Sequence, residues 1–332
     1  MMSAGWRSPG EFIQDLRARA SRLAPRIVFP EAEDPRLLDA ARSLARDAIV
    51  RPVVVGRGAP IPGLEYIDVR RDPRRERVAR DLLKARGERG LDEELAWELA
   101  GDPLYFAADL VRHGEADGGV AGCARPTADV LRAGLWLVGT RPGVKTVSSS
   151  FYMVVGDFRG LGAEVLTFTD CAVVPEPDVE QLAEIAMAAA RERRLVVGDV
   201  PVVAFLSYST KGSAEGPSVD RVRQAVELVR QRQPDLAVDG ELQADAALLE
   251  AVGRRKAPGS AVVGRANVLV FPSLEAGNIA YKLVERLAAA VAIGPIVQGL
   301  ARPFNDLSRG AASDDIINIA AVTALQSEVR GD

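Results

Sequence analysis

Short apolar runs rich in β-branched residues alternate with segments of helical periodicity along most of the chain. Four to eight apolar residues between turn signals are typical of a buried strand, whereas apolar positions three and four apart indicate a helix. The predicted strands are 26–29, 52–55, 119–121, 146–153, 164–168, 202–206, 268–271 and 293–297. The predicted helices are 36–46, 75–85, 92–99, 104–112, 128–138, 179–193, 219–231, 244–251, 276–290 and 314–326. This order predicts an α/β fold with mainly parallel sheets.

Proline and glycine interrupt the pattern at Gly139–Lys145 and again at Gly294–Pro303, which suggests two domain boundaries. If the last helix returns to the first domain, the second domain is an insertion. We therefore predict a discontinuous first domain, 1–145 plus 300–332, and an inserted second domain, 146–299, on either side of a cleft. Ligands of parallel α/β sheets bind beyond the carboxyl ends of the strands. The polar residues that follow each strand are thus the candidates for chemistry.

Bulk composition excludes several classes of function. With 42 basic and 46 acidic residues, the net charge of −4 leaves no basic footprint for nucleic acid. The two cysteines and the single histidine, His113, show no metal-ligand spacing, so no metal site is predicted. No segment suits a signal peptide, and the most apolar late stretch, around Leu287–Ile293, is too short to span a bilayer. We expect a cytoplasmic protein that does not bind membranes.

One post-strand segment, SYSTKGSAEGPS at Ser207–Ser218, combines hydroxyls, a lysine and glycines before a helix. Backbone N–H groups at a helix N-terminus, together with such side chains, form anion sites. The spacing is not that of a Walker A motif, and an ordinary Ser/Gly loop explains the composition as well. Further on, Asp239 and Glu241 would share one face of an extended segment, where they could bind a metal or orient basic residues.

Two later segments carry polar residues in helical or turn positions. Asn278, Lys282 and Arg286 are four residues apart and form one stripe of a predicted helix, either a solvated face or a binding or interface stripe. After the last predicted strand comes NDLSRG (Asn305–Gly310), and Ser313 then caps a helix with two aspartates in its first turn. Capping accounts for the aspartates, but it does not account for the adjacent hydroxyl and guanidinium of the turn.

These segments together resemble the phosphate acetyltransferase (phosphotransacetylase) family, in its short class without an N-terminal regulatory region. The matching strings run in order over about 300 residues: FPEAEDPRLLDAA, ADGGVAG, TRPGVKTVSSSFYM, FTDCAVVPEP, FLSYSTKGSA, DGELQADAA, VLVFPSLEAGNIAYKLVERL and GPIVQGLARPFNDLSRG. The resemblance implies a two-domain fold like that of isocitrate and isopropylmalate dehydrogenases, and a homodimer. It implies the reversible conversion of acetyl phosphate and coenzyme A into acetyl-CoA and inorganic phosphate.

The resemblance also implies a set of functional residues. The motif serine and arginine fall on Ser308 and Arg309, and the catalytic aspartate falls on Asp315. A substrate-binding arginine in the family's TADxLR segment falls on Arg132, and an arginine linked to coenzyme A falls near Arg86, in a variable region that also holds Arg89. The residues expected to bind substrates are Arg132, Arg86, Ser207, Ser209, Thr210, Lys211, Asn278, Lys282 and Asn305.

The residue types suit a direct transfer. A thiol attacks as its thiolate, so a base is required, and Asp315 is the expected base. Arg309 would hold the phosphoryl oxygens, and Ser308 would donate a hydrogen bond to the oxyanion or to the sulfur. We expect no covalent acyl-enzyme and no permanently bound cofactor, because coenzyme A is a substrate. The resemblance is compatible with a requirement for a monovalent cation.

Three alternatives stay open at this point. A phosphate butyryltransferase, or a related acyl-phosphate enzyme, would use the same residues, because one methylene changes discrimination by only about 1–3 kcal/mol. A dehydrogenase is suggested by fold analogy alone, and it would need a cluster of metal-binding aspartates and a catalytic lysine and tyrosine. A non-catalytic binding or dimerisation module should have lost Ser308, Arg309 or Asp315, and all three are present.

Overall fold

Two sheets organise residues 5–328, the part of the chain that the computed structural model describes, and each sheet belongs to its own compact unit. The outer unit comprises Gln14–Pro142 and the described residues from Leu300 onward. The inserted unit comprises Gly143–Gly299 and the described residues up to Ile13. Among these residues no helix combines the length and the apolar composition that a bilayer crossing requires.

The strands are β1 (Arg26–Phe29), β2 (Arg51–Gly56), β3 (Glu65–Asp68), β4 (Gly118–Ala121), β5 (Ser148–Val155), β6 (Glu164–Thr169), β7 (Val202–Leu206), β8 (Ala237–Leu242), β9 (Val268–Val270), β10 (Val291–Gln298) and β11 (Phe304–Asp306). The helices are α1 (Pro9–Leu23), α2 (Pro35–Arg46), α3 (Arg75–Arg86), α4 (Glu93–Ala100), α5 (Pro103–Arg112), α6 (Thr127–Ala133), α7 (Val179–Val196), α8 (Pro217–Arg232), α9 (Ala244–Leu248), α10 (Glu250–Lys256), α11 (Leu274–Leu287) and α12 (Ser313–Gln326). A 3-10 turn (Gly87–Arg89) follows α3 and a π-helical turn (Gly134–Val138) follows α6.

The sheet of the outer unit has the strand order β11-β4-β1-β2-β3, and every neighbouring pair is parallel. From β1 the chain runs to β2 and β3 on one side and then returns to β4 and β11 on the other side. The strand order therefore reverses between β1 and β4. In an open parallel sheet this reversal leaves a crevice at the carboxyl ends of the strands, which is the usual place for a ligand.

The sheet of the inserted unit has the order β10-β5-β6-β9-β7-β8. Strands β6, β9, β7 and β8 are parallel to one another, whereas β5 is antiparallel to both of its neighbours, β10 and β6. Buried apolar side chains cover both faces, with Phe151 and Leu269 in one cluster and Phe205 and Val226 in the other. The two sheets together confirm the predicted α/β fold with mainly parallel strands.

Polar side chains fix where several helices begin. Asp34, Asp102 and Ser273 accept hydrogen bonds from N–H groups in the first turns of α2, α5 and α11, as N-caps do. The predicted cap of the last helix is wrong, because α12 begins at Ser313. The carboxylate of Asp315 instead accepts a hydrogen bond from the Ala312 N–H at 2.9 Å, and the Ser313 hydroxyl donates to the Arg36 carbonyl at 3.0 Å.

Several elements differ from the sequence prediction. Three strands and the first helix were not predicted: β3, β8, β11 and α1. The predicted helix 128–138 ends as an α-helix at Ala133 and continues as the π-helical turn, and the predicted helix 244–251 is split into α9 and α10.

Candidate active site

The loops after β1 and β4 are joined by one buried carboxylate. Glu31, which follows β1, is 4% exposed. Its two oxygens accept five hydrogen bonds, at 2.8–3.0 Å, from donors in the β4 loop: the N–H groups of Gly122, Cys123, Ala124 and Arg125 and the thiol of Cys123. A carboxylate with this many donors is stable as an ion in the interior. Glu31 thus fixes the backbone at the point where the strand order reverses.

Cys123, in the loop after β4, is buried, and its thiol donates a hydrogen bond to Glu31 at 2.9 Å. Burial, and then the hydrogen bond to Glu31, raise the pKa of the Cys123 thiol far above its ordinary value. A thiol held in its neutral form is a poor nucleophile. Cys123 therefore supports the loop and does not offer a thiolate to a substrate. Cys171, in the inserted unit, is fully buried, and burial raises the pKa of its thiol as well.

Arg36, in the first turn of α2, ties the β11 turn to the same region. Its guanidinium donates to the carbonyls of Arg309, Ala311 and Cys123, each at 2.8 Å. It also pairs with Asp34 at 2.7 Å, and this hydrogen bond lowers the pKa of the Asp34 carboxyl. The charge of Arg36 is used within the protein, so its role is to hold the turn between β11 and α12 in place.

The three predicted catalytic residues lie on this turn and on the first turn of α12. The side chains of Ser308, Arg309 and Asp315 are exposed. The Ser308 hydroxyl accepts a hydrogen bond from the Gly310 N–H at 3.2 Å, which leaves its proton available. Within residues 5–328, neither the Arg309 guanidinium nor the Asp315 carboxylate has an ion pair. The structure therefore presents a hydroxyl, an uncommitted cation and a carboxylate within eight residues.

A buried acid, Asp306, immediately precedes this turn and was not among the predicted site residues. It is the last residue of β11 and is 1% exposed. Its Oδ2 accepts a hydrogen bond from the Thr127 hydroxyl at 2.6 Å, while Oδ1 has no partner within the described residues. Burial raises the pKa of Asp306 to about 7, and the nearby Glu31 charge acts in the same direction, although the Thr127 hydroxyl and the Leu307 N–H oppose it.

The predicted substrate-binding arginine, Arg132, and the arginine linked to coenzyme A, Arg86, lie around one aromatic group of the outer unit. The Arg86 guanidinium lies 4.8 Å from the centre of the Trp136 ring, and Trp136 packs against Tyr105 with ring centres 5.9 Å apart. Arg132 on α6 bonds to Asp129 at 2.8 Å, and the Tyr105 hydroxyl raises the pKa of its guanidinium. Arg132 is exposed, whereas Arg86 is half-buried. The weak sequence match at Arg86 therefore falls on a residue near Arg132.

In the inserted unit, the Ser207–Ser218 loop is organised by Glu241 at the end of β8. Glu241 accepts hydrogen bonds from the Ser209 hydroxyl (2.9 Å), the Gly212 N–H (2.8 Å) and the Arg223 guanidinium (3.0 Å). Burial opposes ionisation, but these hydrogen bonds lower the pKa of Glu241 to about 2. Ser209 and Thr210 are buried, and Thr210 bonds to Gln243 at 3.3 Å. Ser207, which is partly exposed, accepts from the Ser209 N–H.

Lys211 lies at the edge of a cavity of about 460 Å³ in the same unit. The cavity is lined by Lys211, Arg230, Asp239, Lys256 and Ala257–Ser260. Asp239 pairs with both Lys211 and Arg230, so the interpretation that Asp239 and Glu241 orient basic residues agrees with their contacts.

The remaining predicted binding residues are dispersed. Asn278 is half-buried and donates to the Cys171 carbonyl at 3.1 Å, while Lys282 is exposed above the Tyr281 ring. Asn305 is fully buried and donates to Thr323 (2.8 Å) and Gln326 (2.7 Å) on α12. Asn305 therefore fixes α12 against β11 and is not exposed next to Ser308 and Arg309.

Comparison with known proteins agrees with the resemblance noted in the sequence. A family model described as phosphate acetyl/butaryl transferase matches residues 11–324. A phosphate acetyltransferase of Paracoccus denitrificans is 47% identical over 312 residues, covering 93% of this chain and 97% of the relative. A phosphotransacetylase structure from Streptococcus pyogenes has a TM-score of 0.89 at 37% identity, covering 97% and 99% of the two chains. A 4-hydroxythreonine-4-phosphate dehydrogenase from Klebsiella pneumoniae, at 16% identity and a TM-score of 0.51, covers 91% and 99% and shares the fold alone.

Proposed function

Because the chain belongs to the phosphate acetyl/butaryl transferase family, we propose that it transfers acetyl reversibly between acetyl phosphate and coenzyme A at the turn that follows β11. Acyl transfer of this kind needs a base for the thiol, a cation for the phosphoryl group and a donor for the carbonyl oxygen. Asp315, Arg309 and Ser308 supply one group of each kind. This combination within eight residues, in the turn after β11 and the first turn of α12, is the observation that supports the assignment of the reaction to this site.

In the proposed mechanism, the Asp315 carboxylate takes the proton of the coenzyme A thiol. The thiolate attacks the carbonyl carbon of acetyl phosphate, and the electron pair of the C=O bond moves onto the oxygen. The Ser308 hydroxyl donates a hydrogen bond to that oxyanion. When the carbonyl re-forms, the bond between the acyl carbon and the bridging oxygen breaks, and inorganic phosphate leaves against Arg309. No acyl-enzyme forms, and no resident cofactor takes part.

The pairing of the surrounding arginines supports Arg309 as the phosphate ligand. Arg36 and Arg125 in the same region pair with Asp34 and Asp102, and Arg17 pairs with Asp314. Among residues 5–328, no acidic side chain pairs with Arg309. A guanidinium matches two phosphoryl oxygens in a bidentate contact. Arg132, which is exposed in the last turn of α6, and Arg86, at the end of α3, would then contact the phosphates of coenzyme A.

Thioester formation tests the function directly. Purified protein is mixed with coenzyme A and acetyl phosphate, then butyryl phosphate, and the absorbance of the thioester is followed with and without potassium. Fast turnover of acetyl phosphate alone supports the proposal, whereas preference for butyryl phosphate keeps the mechanism and changes the substrate. Folded protein that turns over neither substrate would refute the function and leave the binding-module alternative in its place.

The role of Arg309 has its own test. Arg309→Gln should raise the KM for acetyl phosphate about 10- to 100-fold, the range for losing a charge-assisted hydrogen bond. The matched control is Arg42→Gln on α2, an exposed arginine paired with Asp39. An unchanged KM in Arg309→Gln would remove Arg309 as the phosphate ligand.

We also propose that the chain forms a homodimer through α11. Three apolar side chains spaced four residues apart on this helix are exposed: Ile279 by 58%, Leu283 by 52% and Leu287 by 83%. A stripe of this kind is costly in water and suits a helix–helix contact between copies. Leu283→Lys should give a monomer in sedimentation equilibrium, whereas Leu249→Lys, at another exposed leucine of the inserted unit, should not.

The two buried free thiols suit the reducing environment of the cytoplasm, and we propose that the protein is cytoplasmic.

A further inference from the structure

Two buried carboxyl groups lie on either side of Gly122, and they differ in their donors. The N–H of Gly122 donates to Glu31, and a Cβ atom on Gly122 would lie 2.3 Å from Asp306 Oδ1. Glu31 has five donors, four of them backbone N–H groups. Within the described residues, Oδ2 of Asp306 accepts a hydrogen bond from the Thr127 hydroxyl, and Oδ1 has no hydrogen-bond partner. The two acids are equally buried, so this difference in donors separates their behaviour.

A buried carboxylate needs several donors to replace its hydration, whereas a neutral carboxyl group needs few. Glu31 meets the requirement for the ion, and Asp306 does not. A hydroxyl such as that of Thr127 can either donate or accept, so the bond at 2.6 Å serves a protonated Asp306 equally well. A second negative charge beside Glu31 would also be repelled, since only Gly122 separates the two groups.

We propose that Asp306 is a positioning residue that acts as a neutral carboxylic acid, and that its ionisation displaces the Leu307–Arg309 turn and stops the reaction. Asp306 precedes Ser308 by two residues. It also accepts a hydrogen bond from Thr127, which is the first residue of α6, the helix that carries Arg132. A shift of its carboxyl away from Glu31 would therefore move Ser308 and Arg309 relative to that helix. The inference rests on the proposed site at this turn.

The groups around Asp306 define the direction of its pH response. Burial is the main factor that opposes its ionisation, and Glu31, from the loop after β1, acts in the same direction. From α6, the Thr127 hydroxyl favours ionisation, and so does the Leu307 N–H of its own turn. The Cys123 thiol of the β4 loop stays protonated, and the guanidinium of Arg36 is committed to carbonyls and to Asp34. Activity should therefore fall on the alkaline side as Asp306 loses its proton near pH 7.

The test measures kcat and KM between pH 5.5 and 9.5 for three proteins. In wild type, kcat should fall about tenfold per pH unit on the alkaline limb, as expected for loss of one proton. Asp306→Asn is neutral and isosteric, so it should keep kcat within about threefold below pH 7 and should lose that limb. Thr127→Val removes the hydrogen bond that lowers the Asp306 pKa, so its limb should move to higher pH. The KM for acetyl phosphate should stay unchanged in Asp306→Asn.

Infrared spectroscopy provides a readout that does not depend on turnover. The difference spectrum of wild type minus Asp306→Asn at pH 6 should contain the C=O band of a protonated carboxyl, and the band should vanish at pH 9. Absence of the band, or an Asp306→Asn variant that folds but is inactive below pH 7, would overturn the inference. An unchanged alkaline limb in Asp306→Asn and Thr127→Val would overturn it too. Wild type without thioester activity would instead refute the proposed function.

Discussion

The buried acid Asp306 should make the outer unit less stable as the pH rises. Its pKa is about 7 in the folded protein, against 3.8 for an unperturbed aspartate. A carboxyl whose folded pKa is raised contributes stability that is fully present below about pH 4 and is lost as the pH rises toward about 7. Each pKa unit corresponds to about 1.4 kcal/mol, so the loss between pH 4 and pH 8 is at most about 4 kcal/mol.

Asp306→Asn removes this titration while it keeps the size of the side chain. Relative to wild type, the free energy of unfolding of the variant should therefore rise by up to about 4 kcal/mol between pH 4 and pH 8. Urea unfolding is best followed by tryptophan fluorescence in a Trp6→Phe background. Trp97 and Trp136 lie in the outer unit and Trp6 in the inserted unit, so the remaining signal reports on the unit that contains Asp306.

The test compares how the free energy of unfolding of wild type and of Asp306→Asn changes with pH, and it does not depend on the absolute stability of either protein. Other acids titrate in both proteins and cancel in the comparison. If wild type and Asp306→Asn show the same pH dependence to within about 0.5 kcal/mol, Asp306 ionises near its ordinary value, and the reasoning from its few donors is refuted. Asp129→Asn, which removes a half-buried carboxylate of the same unit that pairs with Arg132, is the control for the loss of one acid.

Three further substitutions test the site. Asp315→Asn should lower kcat about 10²-fold or more while acetyl phosphate still binds, and near-normal turnover would remove Asp315 as the base. Glu31→Gln should destabilise the outer unit by about 3 kcal/mol in urea unfolding, since an amide cannot accept five hydrogen bonds as the ion does; a change below about 1 kcal/mol would contradict that account. Gly122→Ala should cost about 2 kcal/mol or more, because φ is +108° and the added Cβ would collide with Asp306, and a melting temperature equal to wild type would exclude the clash.

Most strands of the two sheets could be predicted because the central strands are apolar on both faces. The strands that were missed are short or contain acids, as in EYID of β3, AVDGEL of β8 and FND of β11. Glu65 of β3 pairs with Arg26, and Asp239 of β8 pairs with Lys211; local hydrophobicity does not show these contacts between residues distant in sequence. Helix α1 was missed despite a usable signal, since Phe12, Leu16 and Ala20 are spaced by four and are fully buried.

The placement of Ser308 and Arg309 in a turn, with Asp315 in the first turn of the next helix, was predictable from the NDLSRG motif and the resemblance. The residues that hold this turn were not. Glu31 contacts a loop about 90 residues away, and Arg36 contacts carbonyls more than 270 residues away, so neither role has a local pattern. The signal that could have identified Glu31 was its place directly after a predicted strand, within a string that matches the family.

Five acids, four of them close to strand ends and Asp315 in the first turn of α12, fall into two groups, and the number of hydrogen-bond donors distinguishes the groups. Glu31, Asp170 and Glu241 each accept at least four hydrogen bonds. Backbone N–H groups supply most of those to Glu31 and Asp170, whereas Ser209 and Arg223 supply most of those to Glu241. Their charge is fully used in ordering those loops. Asp306 has the same burial without the donors, and Asp315 has one donor and is exposed. Because unused hydrogen-bonding capacity is what a substrate or a proton can occupy, chemistry is expected at the second group, and both of its members flank Ser308 and Arg309.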